Sequence, residues 1–142
     1  GKNLWMIATV TALGVFLAIL KTNLHWKRFK KIVLIHGVRY GDELIYQDLI
    51  REFDKKYPDQ FCYIKSVTRD KCENTFNYRI PLGIQSKNFQ NFAGIQIDDE
   101  SQFMLCGNPD MIKDTTEILK KFGLMKHRRA KPGNITVERY WV

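Results

Sequence analysis

Residues that could bind a phosphorylated ligand follow four apolar runs of this sequence. They are Thr9 and Thr11 after the first run, Arg39 and Tyr40 after the second, Arg69 after the third, and Cys106-Gly107-Asn108-Pro109 after the fourth. A strand that passes through a short Thr-containing turn into a helix offers unpaired N–H groups and the positive end of the helix dipole, which can hold a pyrophosphate. Guanidinium groups bind phosphate through paired, charge-assisted hydrogen bonds worth about 1.5–3 kcal/mol each. The residue types therefore predict a dinucleotide as the ligand.

The arginines distinguish between two dinucleotides. An NAD site needs a carboxylate for the 2′-hydroxyl of the ribose. Arg39 and Arg69, with Arg79 further along the chain, instead suit the 2′-phosphate of NADP. Taken singly, each arginine is better explained as a solvated surface residue. Their joint position after predicted strands is what favours the ligand hypothesis, because ligands bind beyond the carboxyl ends of parallel strands.

Three other residues could contact a bound cofactor. Cys106 could lie beside a nicotinamide ring, although a cysteine that ends an apolar strand is usually a small buried hydrophobe. Tyr140 and Trp141 could pack on their own domain or cover the flat face of a flavin ring. No histidine or other base adjoins Cys106, and no cluster of His, Cys, Asp or Glu has metal-ligand spacing. Neither nucleophilic catalysis nor a metal site is predicted.

Apolar runs that alternate with amphipathic ones place these residues in an α/β fold with a parallel sheet. Strands are predicted at residues 4–8, 32–36, 61–67, 103–106 and 135–142. His36, which ends the second strand, is interpreted as a hydrogen-bonded core residue and not as a catalyst. The uncharged stretch 4–20 is short of the ~20 residues of a membrane span and is interrupted by two threonines and a glycine. A strand and a helix explain this stretch better, with or without a ligand at the turn between them.

Apolar periodicity and capping residues predict four helices. The first covers residues 12–20. The second begins at Asp42 as N-cap and carries an apolar stripe of Leu44, Ile45, Leu49, Ile50, Phe53 and Tyr57. A short helix is predicted to open at residues 80–84, and residues 85–100 are left unassigned. The last helix is bounded by Asn108 as N-cap, Pro109 in the first turn and Gly123 as terminator.

Composition narrows the class of protein. A chain of 142 residues can form one domain with a real core, and a net charge of +8 suggests an acidic partner or a phosphorylated ligand. Three cysteines without motif spacing favour a reducing, cytoplasmic setting. The basic clusters 27–31 and 126–131 lack the interleaved aromatics of a single-strand groove, so nucleic acid is not a predicted partner. The chain opens almost directly on a core strand, which suggests a fragment of a longer protein.

Six short segments, taken in order, resemble one known family. They are Thr9-Val10-Thr11, Ile35-His36-Gly37-Val38-Arg39-Tyr40, Val67-Thr68-Arg69, Arg79-Ile80-Pro81, Met104-Leu105-Cys106-Gly107-Asn108-Pro109 and Thr136-Val137-Glu138-Arg139-Tyr140-Trp141. Together they resemble the C-terminal half of bacterial ferredoxin (flavodoxin)–NADP⁺ reductases. The likeness runs nearly from end to end and is least informative around residues 85–100.

The resemblance implies a Rossmann-like, five-stranded parallel sheet with helices on both faces, over residues 1–142. It implies that Thr9, Val10 and Thr11 adjoin the pyrophosphate, that Arg39, Tyr40, Arg69 and Arg79 hold the 2′-phosphate and adenosine end, and that Cys106 with Gly107, Asn108 and Pro109 flanks the nicotinamide. Trp141, next to Tyr140, would stack on the isoalloxazine of FAD. NADP(H) and FAD are the implied cofactors. An acidic ferredoxin or flavodoxin is the implied partner, docked with the help of the two basic clusters.

Two features depart from the family pattern. Its phosphate loop usually reads Thr-Gly-Thr-Gly-Leu-Ala-Pro, whereas this chain has the branched Val10 at the second place. Val142 also extends one residue beyond the aromatic that normally closes such chains.

The flavin-binding β-barrel that precedes this part in the family is absent from these residues, so the isolated chain is expected not to transfer hydride. Its exposed flavin-facing surface could drive self-association. The alternative hypothesis is a non-catalytic, reductase-like nucleotide-binding or interaction module.

Overall fold

The strands of this chain form one parallel sheet in the computed structural model, which describes residues 2–138. The elements are β1 (Asn3–Thr9), α1 (Leu13–Leu20), α2 (Leu24–Arg28), β2 (Lys31–Val38), α3 (Gln47–Lys56), β3 (Phe61–Val67), α4 (Ile80–Gln85), α5 (Asn88–Ala93), β4 (Gln102–Cys106), α6 (Pro109–Lys121) and β5 (Ile135–Val137). The sheet has five strands in the order β3-β2-β1-β4-β5, and each neighbouring pair is parallel. This confirms the predicted fold class.

Successive side chains of the central strands point to opposite faces of the sheet, so the core has two layers. In β1, Leu4 and Met6 face one side of the sheet while Trp5 and Ile7 face the other, and all four are buried. The first side packs against α1, α2 and α3, and the second against α4, α5 and α6. Burial of each large apolar side chain contributes about 1.5–3 kcal/mol. A sheet covered on both faces explains why its inner strands are continuous apolar runs.

The predicted strands match the observed ones closely at the centre of the sheet. β3 has the predicted bounds, and β1 and β2 extend beyond theirs by one or two residues at each end. β5 is shorter than predicted, because it ends at Val137. The predicted continuation through Tyr140 and Trp141 lies outside the described residues.

The helix predicted to begin at Asp42 begins instead at Gln47, and the prediction of Asp42 as its N-cap was wrong. Residues Gly41–Glu43 form a separate 3₁₀ turn, in which the Glu43 carboxylate accepts a hydrogen bond from the Tyr40 N–H at 2.9 Å. The turn ends at Leu44, whose backbone is not helical, and Tyr46 is left-handed, so the 3₁₀ turn does not continue into α3. Leu44 and Ile45 therefore lie outside the helix whose stripe they were expected to share.

Two short helices were not predicted. α2 lies within the basic segment and is anchored by the buried Trp26, whose indole N–H donates to the Leu20 carbonyl at 2.7 Å and whose ring stacks on Tyr57 at 3.8 Å. α5 lies between two left-handed residues, Lys87 and Gly94. Neither helix is long enough to show apolar periodicity, so the sequence pattern alone could not identify them.

The predicted ends of α6 are confirmed. The Asn108 side chain accepts hydrogen bonds from the N–H groups of Asp110 at 2.8 Å and Met111 at 3.1 Å, and Pro109 occupies the first turn. Gly123 has a φ of 87°, as expected of a residue that terminates a helix. Within residues 2–138, no helix combines the length and apolarity needed to cross a bilayer.

Candidate functional site

The strand order creates a crevice at the carboxyl edge of the sheet, the edge where the parallel strands end. β1 connects to β2 on one side, whereas β4 lies on the other side of β1, so the chain reverses its winding direction between β1 and β4. In open α/β sheets, ligands bind outside the strand ends at such a switch point. A cleft of about 520 Å³ lies along this edge, and we call it the carboxyl-edge cleft.

A close contact between the ends of β1 and β4 forms one wall of this cleft. The Thr9 hydroxyl accepts a hydrogen bond from the Asn108 N–H at 2.7 Å. Gly107, which precedes Asn108, has a φ of 127°, and a Cβ built on it would lie 2.1 Å from the Thr9 hydroxyl and 3.0 Å from the Thr9 nitrogen. Only glycine allows the two strand ends to approach this closely.

The β1–α1 loop comprises residues 9–13, from the last residue of β1 to the first residue of α1. A 3₁₀ turn at Val10–Ala12 leads into α1, whose first turn carries no acidic side chain. Val10 has a φ of 48° and keeps 40% of its side chain exposed at the cleft. Val10, the residue at which the loop differs from the family pattern, therefore has a left-handed backbone. This conformation is unusual for a branched residue. The partial positive charge of the α1 start faces this side of the sheet.

Arginines line the other part of the cleft. Arg39 and Arg69 follow β2 and β3, and the Arg69 N–H donates to the Arg39 carbonyl at 2.8 Å, which ties their loops together. Within residues 2–138 neither guanidinium takes part in an ion pair. Arg79, at the start of α4, pairs with Asp114 of α6 at 3.2 Å. The cleft therefore joins a helix start to three cationic groups.

Three carboxylates line the described cleft, and two of them, Glu43 and Asp114, have protein partners. Glu43 accepts hydrogen bonds from the N–H groups of Arg39 at 3.2 Å and Tyr40 at 2.9 Å, so it holds the loop after β2 in shape. Asp114 is engaged by Arg79. Asp110, in the first turn of α6, also lines the cleft.

Six of the predicted site residues line the carboxyl-edge cleft together: Thr9, Val10, Arg39, Arg69, Arg79 and Asn108. Thr11, Tyr40, Gly107 and Pro109 adjoin these residues in sequence but are not part of the lining. Tyr140 and Trp141 lie outside the described residues. The sequence interpretation missed five polar residues of the lining, namely Glu43, Ser66, Thr68, Asp110 and Asp114. The two hydroxyls could have been found by the rule that selected Thr9, since they end β3, whereas Asp114 is brought to the site only by helix packing.

Cys106 is fully buried among the residues between the sheet and α1. Burial, and secondarily the Glu138 carboxylate, raises the pKa of its thiol above the ordinary value. The thiol is therefore protonated near neutral pH, and a protonated thiol is a poor nucleophile. Within residues 2–138, no group of three His, Cys, Asp or Glu side chains could hold a metal ion.

His36 is a hydrogen-bonded core residue, as predicted. It is fully buried, and its Nε2 lies 2.7 Å from the Val10 carbonyl. Burial lowers the pKa of His36, while the Val10 carbonyl and Glu43 oppose that shift. The imidazole is therefore neutral at pH 7 and donates from Nε2, because a carbonyl can only accept.

The two basic clusters lie in different places. Residues 27–31 comprise the end of α2 and the start of β2, so they lie at the amino edge of the sheet, opposite the cleft. Residues 126–131 lie beside β5, since Lys126 forms a parallel bridge with Ile135 and Arg128 pairs with Lys131. A strand of seven or eight residues separates the two edges by roughly 25 Å.

Substitution of Gly107 by alanine should destabilise the fold strongly. We expect Gly107→Ala to lower the free energy of unfolding by about 3 kcal/mol, because the new Cβ would meet Thr9 in addition to the cost of a positive φ. Gly123→Ala is the matched control: its φ is also positive, but no atom of residues 2–138 lies within 4 Å of the added Cβ. It should lose only about 1 kcal/mol. Urea unfolding measures both, and equal losses would show that space at Gly107 is not limiting.

Stability should fall on mild acidification because of His36. Unfolded chains take up a proton on this residue below about pH 6.5, whereas burial lowers its pKa in the folded protein. The unfolded state then binds more protons, so the free energy of unfolding decreases as pH falls from about 6.5. We expect His36→Gln to flatten this dependence in urea titrations from about pH 7.5 to pH 5. His127→Gln is the control variant, because the His127 side chain is exposed. Superimposable profiles for His36→Gln and the parent chain would contradict the assignment.

Comparison with known proteins identifies the family. The model of the oxidoreductase NAD-binding domain family matches residues 6–117. The chain is 42% identical to a flavodoxin/ferredoxin–NADP reductase of Buchnera aphidicola (from Schizaphis graminum) and 39% identical to that of Escherichia coli K12, over 142 residues in each case. These alignments cover 99% of this chain, but only 55% and 57% of the relatives. The chain thus spans little more than half the length of these curated relatives.

Solved structures agree with the sequence relatives. A crystal structure of a ferredoxin NADP⁺ reductase from Neisseria gonorrhoeae, with bound FAD and NADP, superimposes with a TM-score of 0.90 at 31% identity. The match covers 98% of this chain and 56% of that one. The chain belongs to the oxidoreductase NAD-binding domain family, and its counterpart among known proteins is the NAD-binding domain of flavodoxin/ferredoxin–NADP reductases.

Proposed function

We propose that the carboxyl-edge cleft binds NADP(H), and that the chain serves as the nucleotide-binding part of a flavin-dependent ferredoxin or flavodoxin–NADP⁺ reductase. The observation that carries this proposal is the continuity of the cleft. One cavity joins the positive end of α1, at Thr9 and Val10, to Arg39, Arg69 and Arg79. A dinucleotide with a pyrophosphate at its centre and a third phosphate at one end matches this distribution of positive charge.

The pyrophosphate would lie against the β1–α1 loop. The N–H groups of a first helical turn lack intrahelical partners, and the dipole favours an anion there. Thr9 is half-buried beside this turn, with its hydroxyl already bound to the Asn108 N–H. That contact positions the Gly107–Pro109 turn next to the loop, so both walls of the pyrophosphate site depend on it.

The 2′-phosphate and adenosine would lie at the arginine end, next to Tyr40. Arg39 and Arg69 are the stronger candidates, because within residues 2–138 no carboxylate neutralises them. Arg79 shares its charge with Asp114, and both side chains are about half exposed. Such a pair contributes little to stability, about 0–1 kcal/mol, so a phosphate could compete for the guanidinium.

The nicotinamide would lie by Cys106 and the Gly107-Asn108-Pro109 turn, at the switch point of the sheet. Cys106 itself is fully buried against α1 and does not line the cleft, so the turn that follows it would make the contact. The stacking of Trp141, with Tyr140, on a flavin remains a prediction from the resemblance.

We propose that hydride exchange takes place only within a longer reductase. FAD supplies the hydride acceptor and the one-electron chemistry when bound, and the family holds it mainly through a separate β-barrel. The residues of this chain would bind and orient NADPH and exclude water from its nicotinamide. The isolated chain is then expected to bind nucleotide without turnover, in the reducing, cytoplasmic setting that its three free cysteines favour.

The electron carrier would be an acidic ferredoxin or flavodoxin. Of the two basic clusters, 126–131 is the better placed, because it runs beside β5 in the direction of the carboxyl edge. The cluster 27–31 lies at the opposite edge and could contribute only to long-range attraction.

The arginine site predicts a strong preference for NADP⁺ over NAD⁺. We expect Arg39→Ala and Arg69→Ala each to weaken NADP⁺ binding by about 10- to 100-fold and to leave NAD⁺ binding unchanged, because each removes charge-assisted hydrogen bonds to the 2′-phosphate. Calorimetric titration of the 142-residue chain measures both ligands. Arg51→Ala is the matched control, since Arg51 is exposed on α3 and pairs with Asp48. Equal losses for both nucleotides would contradict the assignment, and absence of NADP⁺ binding in the parent chain would contradict the site.

The branched side chain at the β1–α1 loop should weaken nucleotide binding. We expect Val10→Gly to tighten NADP⁺ binding by about 1–3 kcal/mol, because it removes both the cost of a left-handed φ and the methyl groups that face the cleft. Val10→Ala separates the two effects, since it removes the branch but keeps a Cβ. Unchanged affinity in Val10→Gly would show that the loop tolerates valine.

A further inference from the structure

The conformation of Val10 needs a tertiary cause. A left-handed φ of 48° is rare for a branched residue, and the loop sequence before α1 offers no side-chain cap to hold it. Among the described residues, the side-chain hydrogen bond to the Val10 backbone comes from His36, which is 26 positions away in sequence. His36 of β2 therefore holds the Val10 backbone from outside the loop.

The register of the sheet explains how His36 reaches the loop. His36 of β2 is paired with Ala8 of β1, and paired residues of parallel strands point to the same face. Ala8 is fully buried and has only a methyl group, so the imidazole can extend past it toward Val10, two residues further on. At 2.7 Å between Nε2 and the carbonyl oxygen, the hydrogen bond is short and direct.

The second ring nitrogen of His36 has no partner among the described residues. Nδ1 of His36 is buried and has no hydrogen-bond partner within residues 2–138. A buried polar side chain with a single contact, made to a strained backbone, has no other evident structural task.

We propose that His36 is a positioning residue that holds the β1–α1 loop in its ligand-binding shape by fixing the carbonyl of Val10. The inference rests on the proposed function, because the shape matters for affinity only if the loop receives the pyrophosphate. The imidazole itself does not touch the nucleotide. Its hydrogen bond offsets the cost of placing valine at a left-handed position, so the N–H groups at the start of α1 remain aligned.

Two substitutions at this position separate the hydrogen bond from packing. His36→Gln keeps a donor near the place of Nε2, whereas His36→Leu fills similar space without one. We expect His36→Leu to weaken NADP⁺ binding by about tenfold, and His36→Gln to restore it to within about threefold of the parent. Equal losses for the two variants would overturn the proposal, and so would an unchanged affinity in His36→Leu.

A double-mutant cycle tests the link to Val10. Glycine adopts a positive φ without strain, so in a Val10→Gly background the loss caused by His36→Leu should shrink to less than about threefold. A loss as large as in the parent background would mean that His36 acts through the core alone. If His36→Leu folds only together with Val10→Gly, the coupling is supported; if neither combination folds, the proposal is overturned.

Hydrogen exchange separates this proposal from the proposed function. Amide exchange of residues 10–14 is measured without nucleotide, on the parent chain and both His36 variants. We expect faster exchange at these amides in His36→Leu than in His36→Gln, with α6 amides unchanged as an internal reference. If this difference in exchange is observed but no variant binds NADP⁺, the proposed function is contradicted and the positioning by His36 is still supported. Identical exchange in the three chains would overturn the positioning even if NADP⁺ binds.

Discussion

The close approach of two strand ends, at Thr9 and Gly107, is the constraint on which the site depends. β1 and β4 are neighbours in the sheet but far apart in sequence, and their ends meet through the hydrogen bond between the Thr9 hydroxyl and the Asn108 N–H. This contact sets the distance between the starts of α1 and α6. A side chain at Gly107 would separate them, because its Cβ would overlap Thr9. The cleft exists in its present shape because one residue lacks that atom.

Opposing charges shape the rest of the cleft. Two arginines at its far end are unpaired within the described part of the chain, while a third is held by Asp114. Glu43 is directed to backbone N–H groups, so it shapes the loop after β2. The cleft is therefore not uniformly basic, although the chain carries a net charge of +8. Specificity for a third phosphate would come from where the free guanidinium groups lie, since overall charge attracts any anion.

Strain and its compensation are coupled at the β1–α1 loop. The sequence places a branched residue where the backbone is left-handed, and a buried histidine from the neighbouring strand binds its carbonyl. Strained backbone persists in proteins when the surrounding structure over-determines it. Here the strand register, the small side chain of Ala8 and the imidazole together supply that constraint.

The sequence by itself determined the sheet, the ends of α6 and six of the residues that line the cleft. Strands buried on both faces must be continuous apolar runs, and Asn108, Pro109 and Gly123 act on backbone groups within a few residues, so these signals are local. The start of α3, the short helix α2 and the different positions of the two basic clusters depended on contacts that no local pattern encodes. Only the tertiary structure decided that Arg79 pairs with Asp114, 35 residues away, and that His36 reaches Val10. Such contacts follow from the order and register of the strands, which bring together residues that are distant in sequence. The local sequence pattern of each element does not contain this information.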